Sequence, residues 1–335
     1  MNPAIQGLIT IILGVGGCVG YFYLSNQFLD KVLFPAKGEH AGRNINRANM
    51  VRPWLFLAPA LLFLGLYLAY PVVATFILSL SERVPGDETR FVGFENYRLM
   101  FSEPKFWEAM RNNALWLIVV PAFSTAFGLL AAQLTDRIRW GSIAKSLIFM
   151  PMAISFVGAS VIWKLVYDTR PADQDQIGIL NAIYLHLGGT DPQTWLTIPF
   201  WNNFFLMIVL IWIQTGFAMV ILSAALRGIP EETIEAAVID GANPFQIFFK
   251  IKVPQIMGTI AVVWTTITIV VLKVFDIVFA MTNGQWETQV LANYMYDKLF
   301  RANDWGVGSA SAMVIMLLVT PILVWNVMNA RKEMR

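Results

Sequence analysis

The sequence predicts an all-α integral membrane protein. Of 335 residues, 57% are hydrophobic and only 14% charged, against about 25% charged in an ordinary soluble domain. The charge-poor stretches recur at lengths near the ~20 residues that cross ~30 Å of hydrocarbon. The cations gather between these stretches rather than inside them. Seven spans result, at about 4–24, 54–80, 113–135, 146–166, 203–226, 256–280 and 308–330.

The first span has no Lys or Arg in its flank Met1 to Gln6, and six spans follow it. It is therefore a retained helix rather than a cleaved signal sequence, although Val15-Gly16-Gly17-Cys18 imitates a lipoprotein cleavage box. Gly16 and Gly20 form a GxxxG pair that admits a second helix closely, or simply face lipid. Pro121, Pro151 and Pro321 fall within the third, fourth and seventh spans. Each is tolerable in a bundle, where neighbours satisfy the freed backbone groups. Lys164 lies near the end of the fourth span, where its stem carries the charge to the interface.

Short-loop cations orient the chain. Lys31, Lys37, Arg43, Arg47 and Arg52 follow the first span, Arg137, Arg139 and Lys145 occupy the 136–145 loop, and Arg331, Lys332 and Arg335 form the tail. All three belong in the cytoplasm. Seven spans then place the N-terminus outside, the C-terminus inside, and the loop at 227–252 inside. The loops at about 81–112, 167–202 and 281–307 face outward, with acidic clusters such as Asp168, Asp173 and Asp175.

Several function classes are excluded by composition. A net charge of +2 without a Lys/Arg-rich tract gives no reason to expect nucleic acid. One cysteine, Cys18, cannot form an intrachain disulfide, and two histidines, His40 and His186, with no HExxH or paired CxxC spacing, point to no metal site. No catalytic residues are expected. Gly141-Ser142-Ile143-Ala144-Lys145-Ser146 lacks the second glycine of a phosphate loop, so no nucleotide cofactor is expected in this chain.

The stretch Glu231 to Pro254, EETIEAAVIDGANPFQIFFKIKVP, is polar amid oil. Pro230 suits a first helical position, Glu231 and Glu232 complement the positive helix start, and Gly241 can take the left-handed geometry that ends a helix. One short helix is expected over about 230–240. Asn243 then caps a second, with Pro244 at its first position and Phe245, Phe248 and Phe249 on one face, running on into the sixth span. Glu235 beside Ala236 and Ala237 allows a partner surface to approach the backbone closely. From the residues alone, the loop serves equally as an amphipathic segment lying on lipid headgroups.

The spacing Glu235-Ala236-Ala237, three residues, Gly241, nine residues, Ile251, one residue, Val253-Pro254 resembles the EAA signature of binding-protein-dependent ABC importer permeases. Val253 departs from the usual Leu and keeps the position apolar. Phe91-Val92-Gly93-Phe94-Glu95-Asn96-Tyr97 and Met281-Thr282-Asn283-Gly284 resemble the carbohydrate-uptake, maltose-transporter-type branch, and within it the permeases for alpha-glucosides. Gln285 stands where a second glycine is usual. The resemblance covers roughly residues 50–330. It implies a six-helix permease core in residues 51–335, with the EAA coupling loop at 227–254, and residues 1–50 as an extra N-terminal transmembrane helix with a cytoplasmic linker.

The resemblance further implies a division of labour. A second permease subunit completes the pathway through the bacterial cytoplasmic (inner) membrane. A dimer of ABC ATPase chains binds ATP and Mg and hydrolyses the ATP. An extracytoplasmic sugar-binding protein delivers cargo. Glu235, Ala236, Ala237, Gly241, Ile251 and Pro254 are then the residues that couple to the ATPases, and the spans beside the loop carry its motion to the pathway. An ion-gradient-driven secondary transporter is the alternative, but neither an internal repeat nor a central carboxylate is found. A membrane enzyme lacks a nucleophile motif.

No Arg or Lys lies centrally in a span, so a neutral polar cargo such as a sugar fits better than an anion. Asn202, Asn203, Gln214, Thr215, Trp264 and Thr265, with Trp212 and Thr266, are candidate pathway groups that hydrogen-bond hydroxyls or stack on a sugar face. Span aromatics also serve as packing or interface anchors, and a span Thr also back-bonds its own helix. Lys273 and Asp276, at i and i+3, can neutralise each other on one helical face near the outer end of the sixth span. They either frame an outer gate with Phe275 and Asn283 or simply reach the interface.

The orientation makes the first prediction. A reporter enzyme fused near Arg43 should be active only in its cytoplasmic form, and activity of its exported form there would overturn the topology.

Overall fold

The structure is a computed structural model that describes residues 3–38, 40–84, 88–136 and 138–333. Arg137 and Arg335, two of the orienting cations, lie outside the described residues. The chain divides into two compact units, Met1–Ala74 and Thr75–Arg335. Among the described residues, five helices are long and apolar enough to cross a membrane, and seven spans result if each of two sharply bent pairs counts as one.

The N-terminal unit is built from α1 (Pro3–Phe28) and α2 (Ala41–Leu64). A π-helical turn at Leu29–Leu33 ends the first helix. Tyr21 donates to the carbonyl of Leu55 at 2.8 Å, Phe22 meets Phe56 edge-on at 5.4 Å, and Arg52 pairs with Asp30 at 2.6 Å. These contacts bind the second span to the first within this unit. Gly16 and Gly20 meet nothing within 4 Å. A second π-helical turn, Gly65–Ala69, leads to α3 (Tyr70–Ser79).

The C-terminal unit opens with a short antiparallel hairpin, β1 (Ser81–Val84) on β2 (Glu88–Phe91), that pairs Ser81 with Phe91. It then continues through α4 (Glu95–Ser102) and α5 (Pro104–Thr135). Asn96 is buried, and its amide donates to the carbonyls of Ser79 and Ser81 at 2.9 Å each, so this part of the Phe91–Tyr97 motif anchors structure. Next come α6 (Gly141–Phe149), α7 (Phe156–Val166), α8 (Ile179–His186) and α9 (Trp201–Arg227). Pro121 and Pro321 sit inside continuous helices, α5 and the last helix, Trp305–Glu333.

Pro151 behaves otherwise. It lies in a 3-10 turn at Met150–Ala153, Ile154 is extended, and Ser155 caps α7 by accepting the Gly158 N–H at 3.1 Å. The expected fourth span is therefore two helices bent by 106°. A proline without N–H starts the break, and the serine cap satisfies the new helix start.

The core lies between α5, α9 and α13 (Met257–Leu272), around Trp116, Val120, Leu210, Met219, Val263 and Ile267. Two glycines set the spacing. A Cβ on Gly128 of α5 would lie 2.4 Å from that of Ala218 and 2.8 Å from the Met219 nitrogen of α9, and one on Gly216 would lie 2.7 Å from the Ile148 carbonyl oxygen. Backbones approach here as small residues allow in membrane bundles. Gly128→Val should therefore destabilise the protein by about 1–3 kcal/mol, since overpacking forces the helices apart. Thermal unfolding of the purified protein checks this, with Gly7→Ala, where nothing lies within 4 Å, expected to leave Tm unlowered.

Candidate functional site

The loop after α9 folds as two short helices. Pro230 is extended (ψ 135°) and starts α10 (Glu231–Ile239), with Glu231 and Glu232 in its first turn. Gly241 has φ +80°. Its N–H donates to the Val238 carbonyl at 3.0 Å, and that of Ala242 to the Ala237 carbonyl at 2.9 Å. This is a Schellman ending, which a left-handed glycine permits. Asn243 then accepts the Gln246 N–H at 2.9 Å while the Gln246 side chain accepts that of Asn243 at 2.9 Å. The reciprocal cap opens α11 (Pro244–Gln246). The spacing Asn-x-x-Gln was a visible signal of it.

The second helix does not run straight into the sixth span. A π-helical turn at Ile247–Lys252 and α12 (Val253–Gln255) follow, and the chain bends by 71° at Ile256 before α13. Pro254 supplies no N–H to the ladder, and the wider turn before it absorbs the mismatch. The bend turns the Pro244–Gln255 segment away from the α13 axis.

The expected coupling residues divide by exposure. Glu235, Ala236, Gly241 and Pro254 are exposed, Ile251 is half-buried, and Ala237 is buried with Ile247 beneath the loop. Phe245 and Phe249 are 76% and 62% exposed, Ile239 is 85% exposed, and Phe248 is half-buried against Phe249. Large exposed apolar side chains in one loop with exposed Glu231, Glu232, Glu235, Asp240 and Lys250 have the character of a protein-binding site.

Beneath the loop lies a polar node that sequence reasoning missed. Asp136, just past α5, accepts from Arg227 Nη2 at 3.0 Å and Nε at 3.1 Å, from Ser223 Oγ at 3.1 Å, and from Lys145 Nζ. Lys145 also donates to Ser223 at 2.6 Å. Burial pushes the Asp136 carboxyl up, but the hydrogen bonds from Lys145, Ser223 and Arg227 outweigh it and hold the group below the ordinary carboxylate range. One turn back, Gln133 Oε1 accepts from Lys252 Nζ at 3.2 Å. An acid at the negative end of a helix was the available hint.

At the opposite end, four asparagines hold one irregular segment. Asn112 donates to the carbonyls of Glu287 and Gln289 at 2.9 and 2.8 Å, and Asn113 accepts the Leu291 N–H at 2.8 Å. Asn202 donates to the Trp286 carbonyl at 2.6 Å and Asn203 to that of Glu287 at 3.2 Å. Asn283, Trp286 and Glu287 have positive φ of 52°, 53° and 63°. Asn202 and Asn203, two of the candidate pathway groups, fix this backbone. The Asn283 side chain accepts from Arg301 at 2.9 Å.

The other pathway candidates are dispersed. Thr215 donates to the Ile211 carbonyl at 2.7 Å, and Thr265 donates to that of Ala261, so each hydroxyl is spent on its own helix. Thr215 lines an apolar cavity of about 990 Å³ with Trp212, Trp163, Phe123 and Phe127. Gln214 is 7% exposed and makes no hydrogen bond among the described residues, and Trp264 is 40% exposed.

Lys273 and Asp276 do not share a helical face. The helix ends at Leu272, Lys273 and Phe275 are non-helical, and α14 (Asp276–Met281) begins anew. No ion pair joins the two side chains. Both line, with Phe275, Leu210 and Phe156, a cavity of about 130 Å³.

Residues 124–333 match the family described as "Binding-protein-dependent transport system inner membrane component". The chain is 64% identical to the alpha-glucoside transport system permease protein AglF of Rhizobium meliloti (strain 1021), over 99% of each chain. It is 49% identical to the osmoprotective compounds uptake permease protein GgtC of Synechocystis sp., over 83% of this chain and 99% of that one. A solved bacterial ABC transporter involved in import of the acidic polysaccharide alginate has the same fold, with a TM-score of 0.72 at 21% identity over 88% of this chain and 99% of that one.

The turn at Gly241 is directly testable. A beta-branched residue resists its left-handed geometry, so Gly241→Val should cost about 1–2 kcal/mol and loosen the end of α10. In a Cys18→Ser background, a cysteine at Ala237 should then be labelled several-fold faster, while Gly241→Asn leaves its labelling slow.

Proposed function

The chain belongs to the family of binding-protein-dependent transport system inner membrane components, and on that premise we propose that it passes an alpha-glucoside, or a related oligosaccharide, across the bacterial cytoplasmic membrane. It works as the permease subunit of an ABC importer. Partner chains bind ATP and Mg and hydrolyse the ATP, a second permease completes the pathway, and an extracytoplasmic sugar-binding protein delivers cargo. The near full-length identity to an alpha-glucoside permease supports the choice of sugar.

One observation carries the mechanism: the Glu235–Pro254 loop is a capped pair of helices that exposes Ile239, Phe245 and Phe249 between two spans. In this reading Glu235, Ala236, Gly241 and Pro254 meet an ATPase subunit, while Ala237 and Ile251 seat the loop on the bundle. Residues 51–335 form the permease domain with its coupling loop at 227–254, and residues 1–50 add the extra helix and linker. The N-terminus is outside and the C-terminus cytoplasmic. Gln214 and Trp264, with Lys273, Phe275 and Asp276 around the helix break, are the pathway groups. A hydrogen-bonding amide, indole and ion set suits a polyhydroxylated neutral cargo.

The test is reconstitution of this chain with its second permease, its ATPases and its sugar-binding protein. Uptake of alpha-glucosides should require ATP and the loaded binding protein, with beta-linked isomers moved poorly. Glu235→Lys should lower cargo-stimulated hydrolysis about ten-fold, a coupling change of about 1.4 kcal/mol. Uptake that runs on an ion gradient without ATP would overturn the proposal.

A further inference from the structure

Both legs of the exposed loop are tied to one turn of one other helix. Arg227, on the last turn of α9 where the loop begins, donates twice to Asp136. Lys252, in the π-helical turn where the loop leaves, donates to Gln133. Gln133 and Asp136 are three residues apart, hence on the same face of the α5 terminus. A third element joins them. Lys145 of α6 donates to Asp136, and a Cβ on Gly141 at the α6 start would lie 2.0 Å from the Thr135 carbonyl oxygen. The start of α6 is thus pressed onto the end of α5.

We infer that the α5 terminus, through Asp136 and Gln133, is the fulcrum on which the loop turns, and that Asp136 is a positioning residue that hands loop motion to α5 and α6. The inference rests on the permease reading. It adds a route for the motion beyond the two spans that flank the loop.

Helix stability does not account for this acid. A carboxylate at a helix C-terminus faces the negative end of the dipole, so it works against α5 taken alone. Its side chain is 20% exposed and that of Lys145 is 16% exposed. Such a group is held where it is by donors from two other elements, and its loss leaves a mostly buried cation without its acid. Among the described residues, the side-chain hydrogen bonds that Asp136 accepts come from Lys145, Ser223 and Arg227 and none from residues 231–249, so its effect should fall on transmission and not on docking.

The complete importer in lipid nanodiscs, with loaded sugar-binding protein, separates these roles. Asp136→Asn should assemble with the ATPases and hydrolyse ATP basally as the unaltered chain does. Its cargo-stimulated increment, and the sugar moved per ATP in liposomes, should fall at least about five-fold, the scale of an inter-site coupling. Asp136→Glu should recover most of both. Asp136→Asn combined with Arg227→Gln should be no worse than Asp136→Asn alone. Gln133→Leu, which removes only the second anchor, should lower the same ratio. Unaltered sugar per ATP in Asp136→Asn or in Gln133→Leu overturns the inference, as does a proportional fall of assembly, basal and stimulated hydrolysis. If the unaltered complex shows no ATP-dependent uptake, the permease reading fails instead.

Discussion

Hydrocarbon cannot satisfy a backbone N–H or C=O, and at three places where the described chain leaves helical geometry a neighbouring group takes over the freed backbone. Where the fourth span breaks, Ser155 takes over the start of α7. Where α10 ends, the Gly241 and Ala242 amides close on its last carbonyls, and Asn243 with Gln246 opens the next helix. Where the backbone turns left-handed at Trp286 and Glu287, amides of Asn112, Asn202 and Asn203 take the carbonyls. At each of these places the irregular backbone has a committed partner. Strain of this kind persists only where the surroundings over-determine it.

Those commitments converge on two helices. Asn112 and Asn113 stand near one end of α5, and Gln133 with Asp136 at the other. Asn202 and Asn203 open α9, and Ser223 with Arg227 close it. Residues 112 and 136 are about 36 Å apart along a helix rising 1.5 Å per residue. The close approach of Gly128 to Ala218 fastens the pair between these ends. The α5–α9 pair is thus a rigid axle, with a clamped irregular segment at one end and the polar node beneath the exposed loop at the other. A transporter that must link events on two sides of a membrane needs such an element, because coupling over tens of ångströms travels through packed, rigid parts.

The spans and the loop were legible because they rest on local chemistry. Hydrophobic length marks each span, and Pro230, Gly241, Asn243 and Pro244 mark the loop's two helices one residue at a time. The features that residue type alone left open have a common source. Asn202 and Asn203 are polar groups in an apolar helix, a pattern shared by cargo ligands and by clamps for a distant backbone. Lys273 and Asp276 keep helical spacing on paper, yet the helix between them ends. Pro151 looks like Pro121, but only Pro151 is followed by an extended residue and a capping serine that let the chain turn.

By itself, then, the sequence determined the class of solvent, the apolar stretches, the family signature and the local fold of the loop at 227–254, since each depends on neighbours within a turn or two. Tertiary structure alone decided which polar side chains hold backbone and which stay open, where two spans bend, and that Asp136 gathers Lys145, Ser223 and Arg227. The partners of Asp136 lie 9 to 91 positions away in the chain, and those of Asn112 and Asn113 as far as 178. No local periodicity encodes a separation of that length; only the close approach of helices brings such groups within hydrogen-bonding distance.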